Sequence, residues 1–298
     1  MRRIIDKYLS LFGQYKGVLT VKRNRMTGAG PSLSAIIMNS DFCERPHDDH
    51  MLVYDFLGFL EKHCARAQGK GYGSGSIDAE ISSIKRLLQH KNPKLCIDIG
   101  GNIGEYSAAL HRHFPHANIV CFEPSKTNLT ILENRFSTNE RIRIMPFGVA
   151  DQSGTHTLYS DKPGSGLASL TKRDLTHRNN TFETQESIQT MRFDEFWQHE
   201  LDSSRIDILK MDIEGHELDA LTGCGPAIEK TDIIQFEFGG CNVDTRTYFR
   251  DFWSFFKDRG FSLYRITPFG TDRMKRYRER DECFRTTNFL ALNENMGR

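Results

Sequence analysis

The sequence predicts a doubly wound α/β fold with a mostly parallel sheet over its last three quarters. Seven short apolar runs, at 95–99, 119–122, 142–147, 206–211, 233–238, 261–266 and 288–292, read as strands rich in Ile, Val and Phe. Segments of helix length separate many of them, which is the order of a parallel sheet buried on both faces. A glycine-rich turn follows the first run directly, where such sheets place a ligand.

The elements follow in order. Residues 1–75 form an irregular extension whose patterned part, 49–67, carries Leu52, Phe56, Phe59, Leu60 and Cys64 at near-helical spacing. It ends in GKGYGSGS (69–76), which reads as a mobile connection, so we place the domain boundary at 75/76. Ser76 is a good N-cap for the next helix, with Ile77, Ile81, Ile84, Leu87 and Leu88 as its apolar stripe and Glu80 in its opening turns. Further helices are expected at 125–137 and 247–259.

Whole-chain properties narrow the partners. A formal net charge of +1 gives no global field for a polyanion, so a nucleic acid partner is not expected. Seven cysteines without a CxxC pair argue against a disulfide scaffold or zinc site and suit a reducing compartment. No stretch approaches the ~20 apolar residues that span a bilayer, and the first residues lack a signal-peptide core. A cytoplasmic protein is the expectation.

The glycine turn, LCIDIGGNIGEYSAAL, has Gly100, Gly101 and Gly104 between strand and helix. A GxGxxG fingerprint would need glycine at Ile99, and Asp98 puts a carboxylate where a pyrophosphate would sit. That favours a cationic ligand such as S-adenosylmethionine (SAM) over NAD. Glu123, 23 residues after Gly100, suits the two hydroxyls of a ribose. The run IDILKMDIEGHELDAL ends a fourth strand in Asp212 and Glu214, which would share a strand face if the strand continued. Glu214, Glu217 and Asp219 also fit the acidic start of a helix. Glu237 ends a fifth strand on the same edge, and Asp212 with Glu237 could alternatively hold Mg²⁺.

Other features are read as structural. HxHxxH at His111, His113 and His116 complements a helix C-terminus, and the basic run 272–282 is a solvated loop. Asn128 and Asn179 lie in N-x-T sequons without a secretory signal. The loop 160–170 has the glycines of a mobile lid.

Taken together, IDIGGNIGEYS, VCFEPS, FGVADQSG, SGLASL and LKMDIEGHELDAL resemble the FkbM-type family of SAM-dependent O-methyltransferases, in family order over approximately residues 76–292. The resemblance implies a Rossmann-like class I methyltransferase domain at 76–298. It implies that Glu80, Asp98, Gly100, Asn102, Gly104, Tyr106, Glu123, Pro124, Gly148, Val149, Ala150, Ser169 and Asp212 bind SAM and its product S-adenosylhomocysteine (SAH). Asp212, Glu214, His216 and Glu237 are the catalytic candidates. The family usually has alanine where Gly101 stands, a small-for-small change. The acceptor implied is a hydroxyl of a sugar or glycoconjugate, of surface polysaccharide or natural product. An NAD(P)-dependent oxidoreductase and a noncatalytic SAM-binding module remain alternatives. The extension would bind acceptor or a second copy of the chain.

Overall fold

In the computed structural model, residues 47–73, 75–89 and 91–295 are described. Leu57–Arg298 cluster as one compact unit. The part of the extension before residue 47, Cys43 included, lies outside the described residues.

Helix α1 (His47–Ala67) precedes α2 (Ile77–Leu88), and then the alternation begins: β1 (Leu95–Ile99), α3 (Glu105–His113), β2 (Asn118–Phe122), α4 (Lys126–Phe136) and β3 (Ile142–Met145). A separate antiparallel and parallel group follows, with β4 (Gly148–Val149), β5 (Gly154–Ser160) and β6 (Thr184–Met191), then α5 (Phe193–Glu200). The main sheet resumes with β7 (Ile206–Met211), α6 (Glu217–Gly223), β8 (Thr231–Phe238), α7 (Cys241–Thr245), α8 (Phe249–Asp258), β9 (Phe261–Thr267), β10 (Gly270–Arg273) and β11 (Thr287–Asn293).

Eight strands form one sheet in the order β10-β9-β11-β8-β7-β1-β2-β3. The pairs β3·β2, β2·β1, β1·β7 and β7·β8 are parallel, whereas β11 runs antiparallel between β8 and β9. This is the Rossmann-like, mostly parallel sheet expected from the sequence. Strand order reverses at β1, between β2 and β7, so the crevice that takes ligands in open α/β sheets lies at the carboxyl ends of these strands.

Alternation along the strands divides the core. Ile97, Ile99, Leu209, Met211, Ile234, Phe236 and Phe238 bury one face. There α8 contributes Phe252 and Phe256, which stack on Phe236 at 4.9 and 5.1 Å between ring centroids. Cys96, Ile119, Cys121, Ile208 and Ile233 bury the other face against α2 and α3. Side chains of period two explain both sets.

Three local expectations change. Ser76 takes the N-cap position of α2 without a side-chain capping bond; its carbonyl instead accepts from Ala79 and Glu80. The glycine-rich stretch before α2 is pinned rather than loose, because Gly73 N–H donates to Thr286 O and Gly71 N–H to Thr287 Oγ1. A Cβ on Gly73 would sit 2.7 Å from Thr286 Cγ2, so glycine there serves close approach of two backbone segments. Finally, β4, β5 and β6 form a three-stranded sheet in the order β4-β6-β5 that the apolar pattern does not predict. Strands β5 and β6 are polar and half exposed, so burial left little trace in their sequence.

Candidate functional site

The carboxyl ends of β1, β2, β7 and β8 surround a cavity of about 410 Å³. Its size falls within the range of small-molecule sites. The turn after β1 shapes one wall. Gly100 has φ +81°, and a Cβ there would lie 2.1 Å from Asp212 O, so only glycine lets the ends of β1 and β7 meet. At Gly101 a Cβ would lie 2.1 Å from the buried Cys121 Sγ, so the sulfur would have to move. The glycine for alanine difference is thus not neutral in this chain: the Cys121 sulfur occupies the space an alanine methyl would need.

Asn102, in the left-handed region at φ +48°, donates its backbone N–H to Glu123 Oε2 at 2.8 Å. Glu123 Oε1 accepts from Ser125 N at 2.9 Å and Asn128 Nδ2 at 3.4 Å. These bonds fix the carboxylate at the cavity wall and leave it lone pairs for a ligand hydroxyl. Burial raises its pKa, opposed by the Ser125 and Asn102 N–H groups. Asn128, a sequon residue, is buried here and lines the cavity. Pro124, Phe147, Gly148, Val149, Leu158 and Ile188 make an apolar wall nearby.

A polar row crosses the sheet face beneath the cavity. Asp98 on β1 is a register neighbour of Lys210 on β7, which is a neighbour of Gln235 on β8. Lys210 Nζ lies 3.2 Å from Asp98 Oδ1, 3.9 Å from Asp212 Oδ2 and 5.2 Å from the Tyr106 ring centre, and donates to Gly100 O at 3.1 Å. Burial would strip its proton, but the charges of Asp98 and Asp212 outweigh this and hold its pKa above the ordinary lysine value. Ser107 Oγ donates to Asp98 Oδ2 at 2.7 Å. Tyr106 OH donates to Gln235 Oε1, and Gln235 Nε2 donates to Glu80 Oε2, both at 2.7 Å. Burial raises Glu80 to about 7, against the Gln235 hydrogen bond and the Lys210 charge.

Beyond β7 the chain does not continue as a strand. Glu214 has φ +54° and Gly215 φ +105°, so Asp212 and Glu214 do not share a strand face. The fully buried Glu217 folds this turn by accepting from Ile213 N at 2.9 Å and Gly215 N at 3.1 Å. Burial raises Glu217 to about 7, against those N–H donors. The loop after β5 closes over the turn: Ser169 Oγ donates to Glu214 O at 2.8 Å, and Thr171 Oγ1 meets His216 Nε2 at 2.9 Å. Asp219 Oδ2 lies 2.8 Å from the other ring nitrogen of His216. Arg173 Nη1 donates to Glu214 Oε2 at 2.6 Å. Burial and then the Asp212 charge push Glu214 up to about 8, against Arg173. Glu237 faces the same cavity and has no hydrogen-bond or ion-pair partner among the described residues. Burial and the charges of Asp212, Glu214 and Glu217 raise it well above the usual carboxylate range.

The structure therefore brings together Glu80, Gly100, Asn102, Tyr106, Glu123, Pro124, Gly148, Val149, Ser169, Asp212, Glu214, His216 and Glu237 around one cavity. Asp98, Gly104 and Ala150 do not line it. Asp98 is buried beneath the cavity on Lys210 and Ser107. Gly104, at φ +82°, admits Leu132 and Phe136 of α4, and Ala150 is buried with its carbonyl against Gly223. Lys210, Gln235, Arg173 and Asn128 were missed. Lys210 and Gln235 did leave a signal, as single polar residues inside the apolar strands IDILKM and TDIIQFEF.

Among the described residues, Glu214, Glu237 and Cys241 form a group of three potential metal ligands whose ligand atoms lie within 4.8 Å of one another. It suits Mg²⁺ poorly. Arg173 already holds Glu214, and burial raises the Cys241 pKa, keeping it a thiol where a hard cation wants oxygen. His113 pairs with Asp78 at 2.8 Å at the end of α3. No helix of the described residues is long and apolar enough to cross a membrane.

A scan of family models matches the methyltransferase FkbM domain over residues 98–263. The chain belongs to the FkbM methyltransferase domain family. Its FkbM domain is 26% identical over 167 residues to the 2-O-methyltransferase NoeI of Sinorhizobium fredii, covering 52% of this chain and 67% of that protein. It is also 26% identical over 143 residues to Methyltransferase 1 of Beauveria bassiana, covering 43% and 57%. The match thus spans about two thirds of the first relative and under three fifths of the second. An rRNA methylase from Streptococcus thermophilus overlays with a TM-score of 0.40 at 10% identity, over 72% of this chain and 96% of that one.

Proposed function

We propose that the chain transfers the methyl group of SAM to a hydroxyl of a sugar or glycoconjugate. The observation that carries this reading is the pairing, in one cavity, of an apolar wall with a surplus of carboxyl groups whose pKa values burial has raised. The residues fit SAM. An apolar slot at Phe147, Val149, Leu158 and Ile188 suits adenine, Glu123 suits the ribose hydroxyls, and Glu80 and Asp212 suit the methionine ammonium. Pyrophosphate would meet the same acids unfavourably, which argues against NAD.

SAM supplies an electrophilic methyl on a cationic sulfur. The acceptor C–O bond forms as the S–CH₃ bond breaks, and the hydroxyl proton passes to a carboxylate. Glu214, pushed up to about 8, is one residue we assign to that proton, since a base with a pKa near the working pH is the efficient one; Glu237, facing the same cavity, is the other. Glu237 is placed for it by having no partner to displace. His216, oriented between Asp219 and Thr171, lines the acceptor side. Lys210, which also lines the cavity, ties Asp98 and Asp212 to fixed positions. The name of NoeI, a 2-O-methyltransferase, supports a hydroxyl acceptor. We assign the methyltransferase domain to 76–298 and a binding role, toward acceptor or a second copy, to residues 1–75.

Methyl transfer from labelled SAM to a panel of sugars and glycosides tests the reading. Glu237→Gln should lower kcat by about 10²- to 10⁴-fold with SAH affinity retained. Stabilisation of the protein by NADH but not by SAM or SAH would overturn it.

A further inference from the structure

Arg173 has more donors than the acidic turn uses. Its side chain is 4% exposed, its Nη1 donates to Glu214 Oε2 and its Nε to Asp244 Oδ2 at 3.1 Å. Nη2 has no acceptor among the described residues. That nitrogen is a donor still open to a ligand oxygen. Arg178, on the turn Thr176–Arg178, is exposed and likewise has no hydrogen bond or ion pair among the described residues.

Both guanidinium groups face one small hollow. A Cβ built on Gly240 would lie 3.9 Å from Arg178 Nη2, 4.0 Å from Arg173 Nη2 and 3.8 Å from Phe284 O. The backbone of Gly240 is ordinary right-handed helical, φ −62° and ψ −28°, so its conformation does not require glycine. What the missing side chain does is keep the space between the two arginines open.

We propose that this hollow is a subsite for an anionic group, a carboxylate, sulfate or phosphate, carried by the acceptor close to the hydroxyl that is methylated. The proposal rests on Glu214 and Glu237 meeting that hydroxyl. Arg173 supplies the spacing. One guanidinium nitrogen holds Glu214 and the next would hold the anion, which sets the two about 5 Å apart by hydrogen-bond lengths. Substituents one or two positions apart on a sugar ring span such a distance. The planar fork of arginine suits this division of donors, where a lysine would offer one point charge. Asp244 on Nε and Glu214 on Nη1 hold the guanidinium in plane. The raised pKa of Glu214 reduces the negative charge beside the arginines and leaves the cluster able to attract an anion.

The test is calorimetric titration of the full chain, with and without SAH, using sodium sulfate and sodium glucuronate at constant ionic strength. The wild type should bind at least one of them at one site, and the tighter of the two identifies the group. Arg178→Gln and Gly240→Val should each weaken that binding by about 10-fold or more while SAH affinity and Tm stay unchanged. Absence of binding by both anions to the wild type, or undiminished binding in both variants, would overturn the subsite. The two readings fail differently. Labelled product without anion binding removes the subsite alone, whereas no labelled product from neutral and acidic sugars alike removes the hydroxyl reading beneath it.

Discussion

Asp98 and Lys210 form a buried ion pair across adjacent strands, 3.2 Å between Oδ1 and Nζ, directly under the cavity. Removing one partner leaves a charge uncompensated in the core. Lys210→Met should therefore destabilise the protein by about 3 to 5 kcal/mol, whereas the double variant Asp98→Asn with Lys210→Met should recover much of that loss. Urea denaturation of the wild type and the two variants decides it. A double variant as unstable as the single one would mean that Lys210 matters through Gly100 O or Tyr106 instead.

Gly101 and Cys121 should be coupled. Gly101→Ala forces its methyl onto the Cys121 sulfur and is expected to cost about 1 to 3 kcal/mol. Adding Cys121→Ala removes the clash, so the pair should cost less than the sum of the single changes. Additive costs from thermal unfolding would show that the cysteine side chain simply rotates away.

Ligand binding should release protons. Near neutrality in the unliganded protein, Glu80 at about 7 is half protonated and Glu214 at about 8 largely so. A cationic sulfonium favours the ionised carboxylates, so their pKa values fall when SAM binds. SAM affinity should rise with pH between roughly 6 and 8, and titrations in buffers of different ionisation enthalpy should register more protons released by SAM than by the neutral-sulfur SAH. Equal release by the two would place these acids away from the sulfur.

The same groups set the stability of the unliganded protein. Glu80, Glu214 and Glu217 have native pKa values of about 7, 8 and 7 against an ordinary 4.5, so the native state binds more protons than the unfolded one across this interval. Their contribution is fully present below about pH 4.5 and is lost as pH rises through 7 to 8. Tm without ligand should accordingly fall over that window, with saturating SAM reducing the fall. A Tm that rises from pH 6 to 8 would show that these carboxyls are ionised already.

The apolar wall should carry base affinity. Ile188→Ala removes buried surface from the adenine side and should weaken SAH by about 10-fold, close to 1.4 kcal/mol, without changing the pH dependence. An unchanged Kd would move adenine to another wall.

Much of this site was legible along the chain because strands that end at one sheet edge announce their last residues. Glu123 after VCF, Asp212 after LKM and Glu237 within FEF each follow an apolar run, and all three line the cavity. Asp98 follows the same pattern yet is buried below it, paired in register with Lys210 and bonded to Ser107. The wall from Leu158 and Ile188 was not legible, since β5 and β6 pair with each other as polar strands and only their placement beside Pro124 and Gly148 makes two side chains part of the cavity.

Local sequence alone determined the alternation of strand and helix, the glycine turn and the acids at the strand ends, because periodicity, φ freedom and burial act over a few residues. Tertiary structure decided how those acids are used. Which one is clamped by N–H groups, which is paired to Arg173 and which is left without a partner depends on side chains more than 40 residues away: Asn102 against Glu123 is a short-range exception, but Arg173 against Glu214 and Gln235 against Glu80 are not. The pKa of a carboxyl follows from that environment, and no stretch of sequence contains it.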